Sequence, residues 1–215
     1  MADLSKVTSD YSGEPLDPAD CIADPLVAIE RWVAAAIAAK VPTPNAMTLA
    51  TADERGRPSA RIVLLKGVDA RGLTFFTNYG SRKGRELAAR PYAALVLFWE
   101  PMHRQIRVEG TVERVATSDS DAYFASRARG SQLGAIASPQ SQPIASRAAL
   151  EALVADVARK HGDGAGAALP RPAYWGGYRV VPELVELWQG QPSRLHDRVR
   201  YRLIDGAWVT DRLAP

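Results

Sequence analysis

Cysteine is nearly absent: Cys21 is the single one in 215 residues, so no disulfide forms within the chain and a thiolate zinc cluster is excluded. Histidine is scarce too. His103, His161 and His196 lie far apart, without the paired spacing of a metal site and without a nucleophile-elbow neighbour for a Ser-His-Asp triad. No metal is expected, and any redox chemistry then needs an organic cofactor. The longest apolar run is far short of a membrane span. Met1 to Asp20 is polar and acidic, unlike a signal peptide, so a cytoplasmic protein is expected. An excess of one charge is also missing. The chain sets 27 Lys and Arg against 24 Asp and Glu, a net charge of +3, too mild to argue for nucleic acid.

What is present is ordinary globular composition, 47% hydrophobic and 24% charged, at a length that suits one domain with a substantial core. Residues 1–23, rich in Asp, Ser and Pro, read as a flexible N-terminal arm with Tyr11 its only large aromatic. Residues 24–215 read as a single domain. Asp24-Pro25 predicts an N-cap with Pro in the first turn. Leu26, Ile29, Val33, Ala36 and Ile37 then share a helical face until Pro42 and Pro44 intervene. From Ala46 the period becomes two. Strands are predicted at 46–51, 59–66 and 73–78 as an antiparallel meander, then at 92–99 and 104–115, with a helix at 82–89 between. Thr117 or Ser118 is expected to cap a short helix, Gln132–Ala137 to form a helical turn, and Ser146 to cap a helix to about His161. The Gly/Ala-rich 162–168 reads as a linker. Strands return at 174–181, 184–188, 199–203 and 207–210. The sum is an α+β architecture, a six- to eight-stranded antiparallel barrel with peripheral helices.

Two cationic devices stand close together. Arg61-Ile-Val-Leu-Leu-Lys66 is an apolar strand with a cation at each end, and Gly80-Ser-Arg-Lys83 is a turn that opens a helix with two cations at its bare amides, a ready anion site. Any one of these residues is more often a solvated surface charge. Together they point to a phosphate-bearing ligand held against a sheet. Strand parity sends Arg61 and Lys66 to opposite faces, so they need not grip the same group. Tyr123 and Arg127 lie four apart, on one helix face. In Trp188-Gln-Gly-Gln-Pro-Ser-Arg-Leu-His-Asp-Arg198, the residues Arg194, His196 and Arg198 alternate, and an extended backbone would point all three the same way. Asp197 in an ordinary pair with a neighbouring Arg is the plainer reading of that stretch.

These stretches resemble those of the pyridoxine/pyridoxamine 5′-phosphate oxidase family. The match comprises Met47–Gly56, Arg61–Lys66, Phe75–Asn78, Gly80–Lys83, Arg104-Gln105, Tyr174–Tyr178, Trp188–Gly190, Arg194–Arg198 and Asp211–Pro215, in order along the chain. The resemblance implies an FMN-binding split β-barrel in a homodimer, with FMN at the subunit interface. It implies FMN contacts from Arg61, Ile62, Val63, Leu64, Leu65, Lys66, Phe76, Thr77, Arg82, Lys83, Gln105, Gln140, Ser141, Trp188 and Arg198. It places Lys66, Tyr123, Arg127 and Ser131 on the substrate phosphate, and Arg194, Leu195 and His196 at the pyridine ring, with Arg194 and His196 catalytic. The implied reaction takes pyridoxamine or pyridoxine 5′-phosphate to pyridoxal 5′-phosphate, by hydride transfer from C4′ to flavin N5 and reoxidation by O2 to H2O2. Two positions depart from the family pattern. Phe76 stands where a Tyr is common, and Thr8 where relatives often have Arg, three residues before Tyr11. The competing readings are a flavin reductase of the same fold and a non-catalytic flavin or pyridoxal-phosphate carrier.

Overall fold

A computed structural model describes residues 3, 6, 10–162 and 169–215. The stretch 163–168, read above as a linker, and Thr8 lie outside them. Local signals set the first elements. Asp24 caps helix α1 (Pro25–Ala38) by accepting from the Leu26 amide at 2.8 Å, with Pro25 in the first turn. Leu26, Ile29 and Ala36 are buried, whereas Ile37, one step around the helix from Ala36, is 58% exposed. Strands β1 (Ala46–Ala52) and β2 (Pro58–Leu64) form a hairpin. Its turn is held by Asp53, whose carboxylate accepts from the Arg55 and Arg57 amides, and by Gly56 at φ 78°. Strands β3 (Gly67–Asp69) and β4 (Gly72–Asn78) form a second hairpin.

The expected meander stops there. Strand β4 does not pair with β2 but with the N-terminal half of β7 (Trp175–Gln189), from Leu73↔Val180 to Asn78↔Trp175. With β5 (Tyr92–Trp99) and β6 (Arg104–Arg114), the strand order is β2-β1-β5-β6-β7-β4-β3. Strands β8 (Asp197–Ile204) and β9 (Ala207–Arg212) extend from the C-terminal half of β7. The two tail strands expected at 174–181 and 184–188 are therefore one. Pro182, which has no amide to donate, sits opposite Gly110 where the β6–β7 register shifts. A side chain at Gly110 would meet the Val181 carbonyl. The short β3 lies between the strands expected at 59–66 and 73–78, and among the described residues the sheet has nine strands rather than six to eight.

The main core lies between this curled sheet and α1, and includes Leu49, Leu95, Leu97, Ile106, Val108, Leu187 and Tyr201 with Ile29. A smaller core of Phe124, Leu169 and Trp175, flanked by Phe76, Tyr123 and Leu133, sits under α3 (Thr117–Ser126) and α4 (Arg129–Ala137). Ala116, not Thr117 or Ser118, occupies the α3 cap and offers no side-chain hydrogen bond. Helix α4 begins three residues earlier than expected and takes in Ser131. Helix α5 (Arg147–His161) starts at Ser146, which accepts from the Ala149 amide. Among the described residues no helix is long and apolar enough to cross a membrane.

Helix α2 (Arg82–Ala89) follows β4 through Gly80 and Ser81, and Ser81 Oγ caps it by accepting from the Gly84 amide. A Cβ on Gly84 would lie 2.1 Å from the Tyr79 carbonyl oxygen. Gly84→Ala must therefore push α2 off the turn that precedes it. It is expected to cost about 1–3 kcal/mol, read as a fall in Tm; an unchanged Tm would contradict this packing.

Candidate functional site

A cleft of about 270 Å3 opens where the ends of β2, β4 and α2 meet α3 and the loop after α4. It gathers Ile62, Val63, Leu64, Lys66, Phe76, Thr77, Lys83 and Gln140 of the expected cofactor set, and Tyr123 and Arg127 of the expected substrate set. Trp175 also lines it, a residue to which the sequence assigned no role although it lies in the Tyr174–Tyr178 motif.

Among the described residues, three cations and no carboxylate line this space. Lys83 is buried, and its ammonium donates only to neutral oxygens: Gln140 Oε1 at 3.1 Å, Thr77 Oγ1 at 3.3 Å and Ser81 Oγ at 3.5 Å. Burial pushes its pKa down, and the charge of Arg61 adds to that. Arg127, at the end of α3, lays its guanidinium 4.8 Å over the Trp175 ring, and its Nη1 is buried without a partner. Lys66 follows the end of β2, as its position allowed, and its ammonium lies 5.8 Å over Tyr123. Phe76 stacks on Tyr123 at 3.9 Å and lies parallel to Trp175 at 5.7 Å. A buried lysine with neutral partners and an orphaned guanidinium nitrogen are what a dianionic phosphate would complete. The donor set thus fits a phosphate-bearing cofactor and a phosphorylated substrate.

Arg61 and Arg82 do not line the cleft. Both grip Glu86, which the sequence analysis missed. Arg82 Nε donates to Oε1 at 2.8 Å and Arg61 Nη2 to Oε2 at 3.3 Å. Thr51 and Ser59 hydroxyls donate to the same carboxylate at 2.5 and 2.6 Å. The Arg82–Glu86 spacing of four was the only signal for it. Burial pushes the Glu86 carboxyl up, but the hydrogen bonds from Ser59, Thr51 and Arg82 outweigh it and hold the pKa at about 2, below the usual 4.5. Its stabilisation is therefore full above pH 4.5 and is lost as pH falls toward 2. Glu86→Gln is expected to flatten the stability profile across that acid window; an unchanged acid slope would contradict it.

Nine other expected residues sit elsewhere. Gln105, Trp188, Arg194, Leu195, His196 and Arg198 do not line the cleft. Ser131, Ser141 and Leu65 do not line it either, and buried Leu65 lines a separate hollow with Glu30, Val33 and Ile37 of α1. The 194–198 stretch is not extended throughout. Pro192–Arg194 is a 3-10 turn with Ser193 at φ 57° and Arg194 at φ 61°, so alternation holds only from Asp197 on. Asp197 pairs with Arg212 on β9, at 2.6 Å, rather than with a neighbouring Arg. It also accepts from the Leu16 amide and from Gln191 Nε2, which docks the described part of the arm here. Tyr11 stands edge-on to His103, Trp188 and His196, with ring centroids 5.0, 5.6 and 5.4 Å away. The Gln191 amide donates to His196 Nδ1 at 3.1 Å, which leaves the proton of the neutral ring on Nε2. Burial, then the charge of Arg194, lowers the His196 pKa and favours that neutral form. Arg198 is gripped by buried Glu186 through Nε at 2.9 Å and Nη2 at 3.1 Å, and donates Nη1 to the Ala214 carbonyl.

Register explains how the two groups are related. Phe98, Gln105, Trp188 and Arg198 stand in one cross-strand row, and Ile62, Thr48, Val96, Arg107 and Glu186 in the next. Paired residues point to the same side of a sheet. The second group thus shares one outer face with Ile62 and Phe98, which are 65% and 49% exposed.

Residues 33–161 match the family model described as pyridoxamine 5′-phosphate oxidase, and residues 175–215 match the pyridoxine 5′-phosphate oxidase C-terminal dimerisation region. The chain is 55% identical over 218 residues to a pyridoxine/pyridoxamine 5′-phosphate oxidase of Burkholderia ambifaria, with all of both chains covered. It is 52% identical over 213 residues to that of Neisseria meningitidis serogroup B, covering 99% of this chain and 100% of the relative. Among solved structures, PhzG from Burkholderia lata, in complex with tetrahydrophenazine-1-carboxylic acid, superimposes with a TM-score of 0.88 at 35% identity, over 95% of this chain and 100% of that one. A pyridoxamine 5′-phosphate oxidase-related, FMN-binding protein from Nostoc punctiforme gives a TM-score of 0.71 at 17% identity, over 91% and 100% of the two chains, and shares the split-barrel fold.

Proposed function

The chain belongs to the pyridoxamine 5′-phosphate oxidase family, and from that premise we propose that it oxidises pyridoxamine and pyridoxine 5′-phosphates to pyridoxal 5′-phosphate with FMN as cofactor and O2 as final acceptor. One observation carries the reading: among the described residues the cleft is lined by Lys66, Lys83 and Arg127 with no acid, and Arg127 Nη1 has no partner. Held by Lys83, Thr77 and Gln140, FMN would supply the electron sink for the two-electron oxidation at C4′, with O2 as the final acceptor and H2O2 as its product.

The chain's own residues bind, orient and exclude water. Lys83, with Thr77 and Gln140, holds the cofactor from the α2 side, and the Ile62–Leu65 backbone flanks its ring. Arg61 and Arg82 add positive field at the same helix start. Lys66, Tyr123 and Arg127 take the substrate phosphate. His196 presents Nε2–H to the substrate, and Arg194 stabilises negative charge that develops on it.

In this reading the protein is a homodimer. Gln105, Trp188, Arg194, His196 and Arg198 of one copy complete the cleft of the other. The match of 175–215 to a dimerisation region supports this, as does the exposed apolar face that carries Ile62 and Phe98.

The test is oxygen uptake and aldehyde formation by the FMN-supplied protein, with pyridoxamine 5′-phosphate, pyridoxine 5′-phosphate and unphosphorylated pyridoxine as substrates. Turnover of the two phosphate esters, and little of pyridoxine, is expected. Flavin reduction by a nicotinamide donor but not by these esters would favour a reductase of the same fold. Tight binding without turnover would favour a carrier.

A further inference from the structure

Glu86 is an odd residue to find beside a phosphate site. Its side chain is 5% exposed, and its charge has the same sign as the ligand proposed next to it. Its partners come from three elements: Thr51 on β1, Ser59 and Arg61 on β2, and Arg82 on its own helix. Arg61 is fixed further, with Nη1 on the Leu49 carbonyl at 3.1 Å and on Thr51 Oγ1 at 2.6 Å, and Nη2 on Ser59 Oγ at 2.5 Å. The guanidinium is thereby held in a single orientation by groups that themselves converge on the Glu86 carboxylate.

Arg61, Arg82 and Lys83 all gather at the start of α2, where the helix dipole already adds positive potential. Three cations there repel one another. Among the described residues, the charged or titratable groups around Lys83 are Arg61 from β2, Arg82 and Glu86 on its own helix and, across the cleft, Lys66, Tyr123 and Arg127. Glu86 is the carboxylate in that set.

Building on the FMN reading above, we propose that Glu86 is a positioning residue for the cofactor phosphate. It preassembles Arg61 and Arg82 and sets a negative charge on the helix that carries Lys83, without itself touching the cofactor. The opposing pulls on Lys83 agree: burial and Arg61 lower its pKa, and Glu86 raises it. Removing the carboxylate leaves the cations in place but loosens Arg61 and Arg82 and takes away the upward pull on the Lys83 pKa.

The experiment measures the binding of FMN and of riboflavin, which lacks the phosphate, to wild-type, Glu86→Ala and Glu86→Gln proteins by quenching of flavin fluorescence, across neutral to alkaline pH. Wild-type protein is expected to favour FMN. In Glu86→Ala, FMN affinity is expected to fall by about tenfold or more, and riboflavin affinity by no more than about threefold. The alkaline loss of FMN binding should also move to lower pH. Glu86→Gln keeps an acceptor oxygen and should regain much of the neutral-pH affinity, but its alkaline limb should stay shifted because the charge is gone. Equal losses for both flavins, or an unmoved alkaline limb, would overturn the proposal and leave Glu86 a purely structural residue. Should the alanine variant fail to fold, the alkaline limb of the glutamine variant decides. Wild-type protein that binds both flavins alike would overturn the phosphate reading itself, and this inference with it.

Discussion

Arg127→Ala is expected to raise the KM for pyridoxamine 5′-phosphate by about 100-fold, a loss of about 2–3 kcal/mol from hydrogen bonds to a charged group, while kcat changes by less than about threefold. Arg127 sits at the C-terminal end of α3 with its guanidinium over Trp175, and buries Nη1 with no acceptor in reach. An unsatisfied buried donor of this kind costs about 1–3 kcal/mol in the folded chain. Truncation removes that cost along with the cation–π contact, so Tm should hold or rise as KM climbs. Opposite movement of affinity and stability is the signature of a group kept for a ligand rather than for the fold. Arg127→Lys should recover only part of the loss, because an ammonium lacks the planar fork. An unchanged KM would place the substrate phosphate elsewhere.

Arg194→Ala is expected to lower kcat/KM by a few hundred- to a thousandfold, about 3–4 kcal/mol if the guanidinium acts on the transition state. Ser193 and Arg194 both adopt left-handed backbone, at φ 57° and 61°, in a 3-10 turn beside His196. Such conformations cost on the order of 1 kcal/mol or more each at non-glycine residues, and they collect at functional sites. The Arg194 side chain is exposed and hydrogen-bonds to no other described residue, so its loss should move Tm by less than about 0.5 kcal/mol equivalent. Steady-state oxygen uptake and a thermal melt together check both halves. A near-wild-type rate would remove Arg194 from the chemistry.

Much of the local structure was legible because the signals are short-range. Asp24-Pro25, Ser81 and Ser146 each cap the helix their sequence announced, and Tyr92–Trp99 is a strand because Pro91 and Pro101 bracket an apolar run. Pairing was less legible. Nothing near Leu73–Asn78 says that its partner lies about a hundred residues on, in β7, and Pro182 hides the continuity of that strand because a proline usually ends one. The 3-10 turn at Pro192–Arg194 broke the alternation on which the 194–198 reading relied.

The site was legible as a set of residue types but not as an arrangement. Lys66, Lys83, Tyr123 and Arg127 converge as their motifs suggested, whereas Gln105, Trp188 and Arg198 form a cross-strand row on the outer sheet face and do not line the cleft. Glu86 and Glu186 were missed for another reason. A glutamate on a helix or strand reads as solvated surface, and only the fold shows that each is buried behind arginines.

The most direct measurement is anaerobic titration of the FMN-loaded protein with pyridoxamine 5′-phosphate, followed by the visible absorbance of the flavin. A basic cleft that seats a flavin phosphate and a phosphorylated pyridine together should give full bleaching in a single turnover, and the colour should return when air is admitted. Flavin that stays oxidised under excess substrate, or protein that will not retain FMN at all, would contradict it.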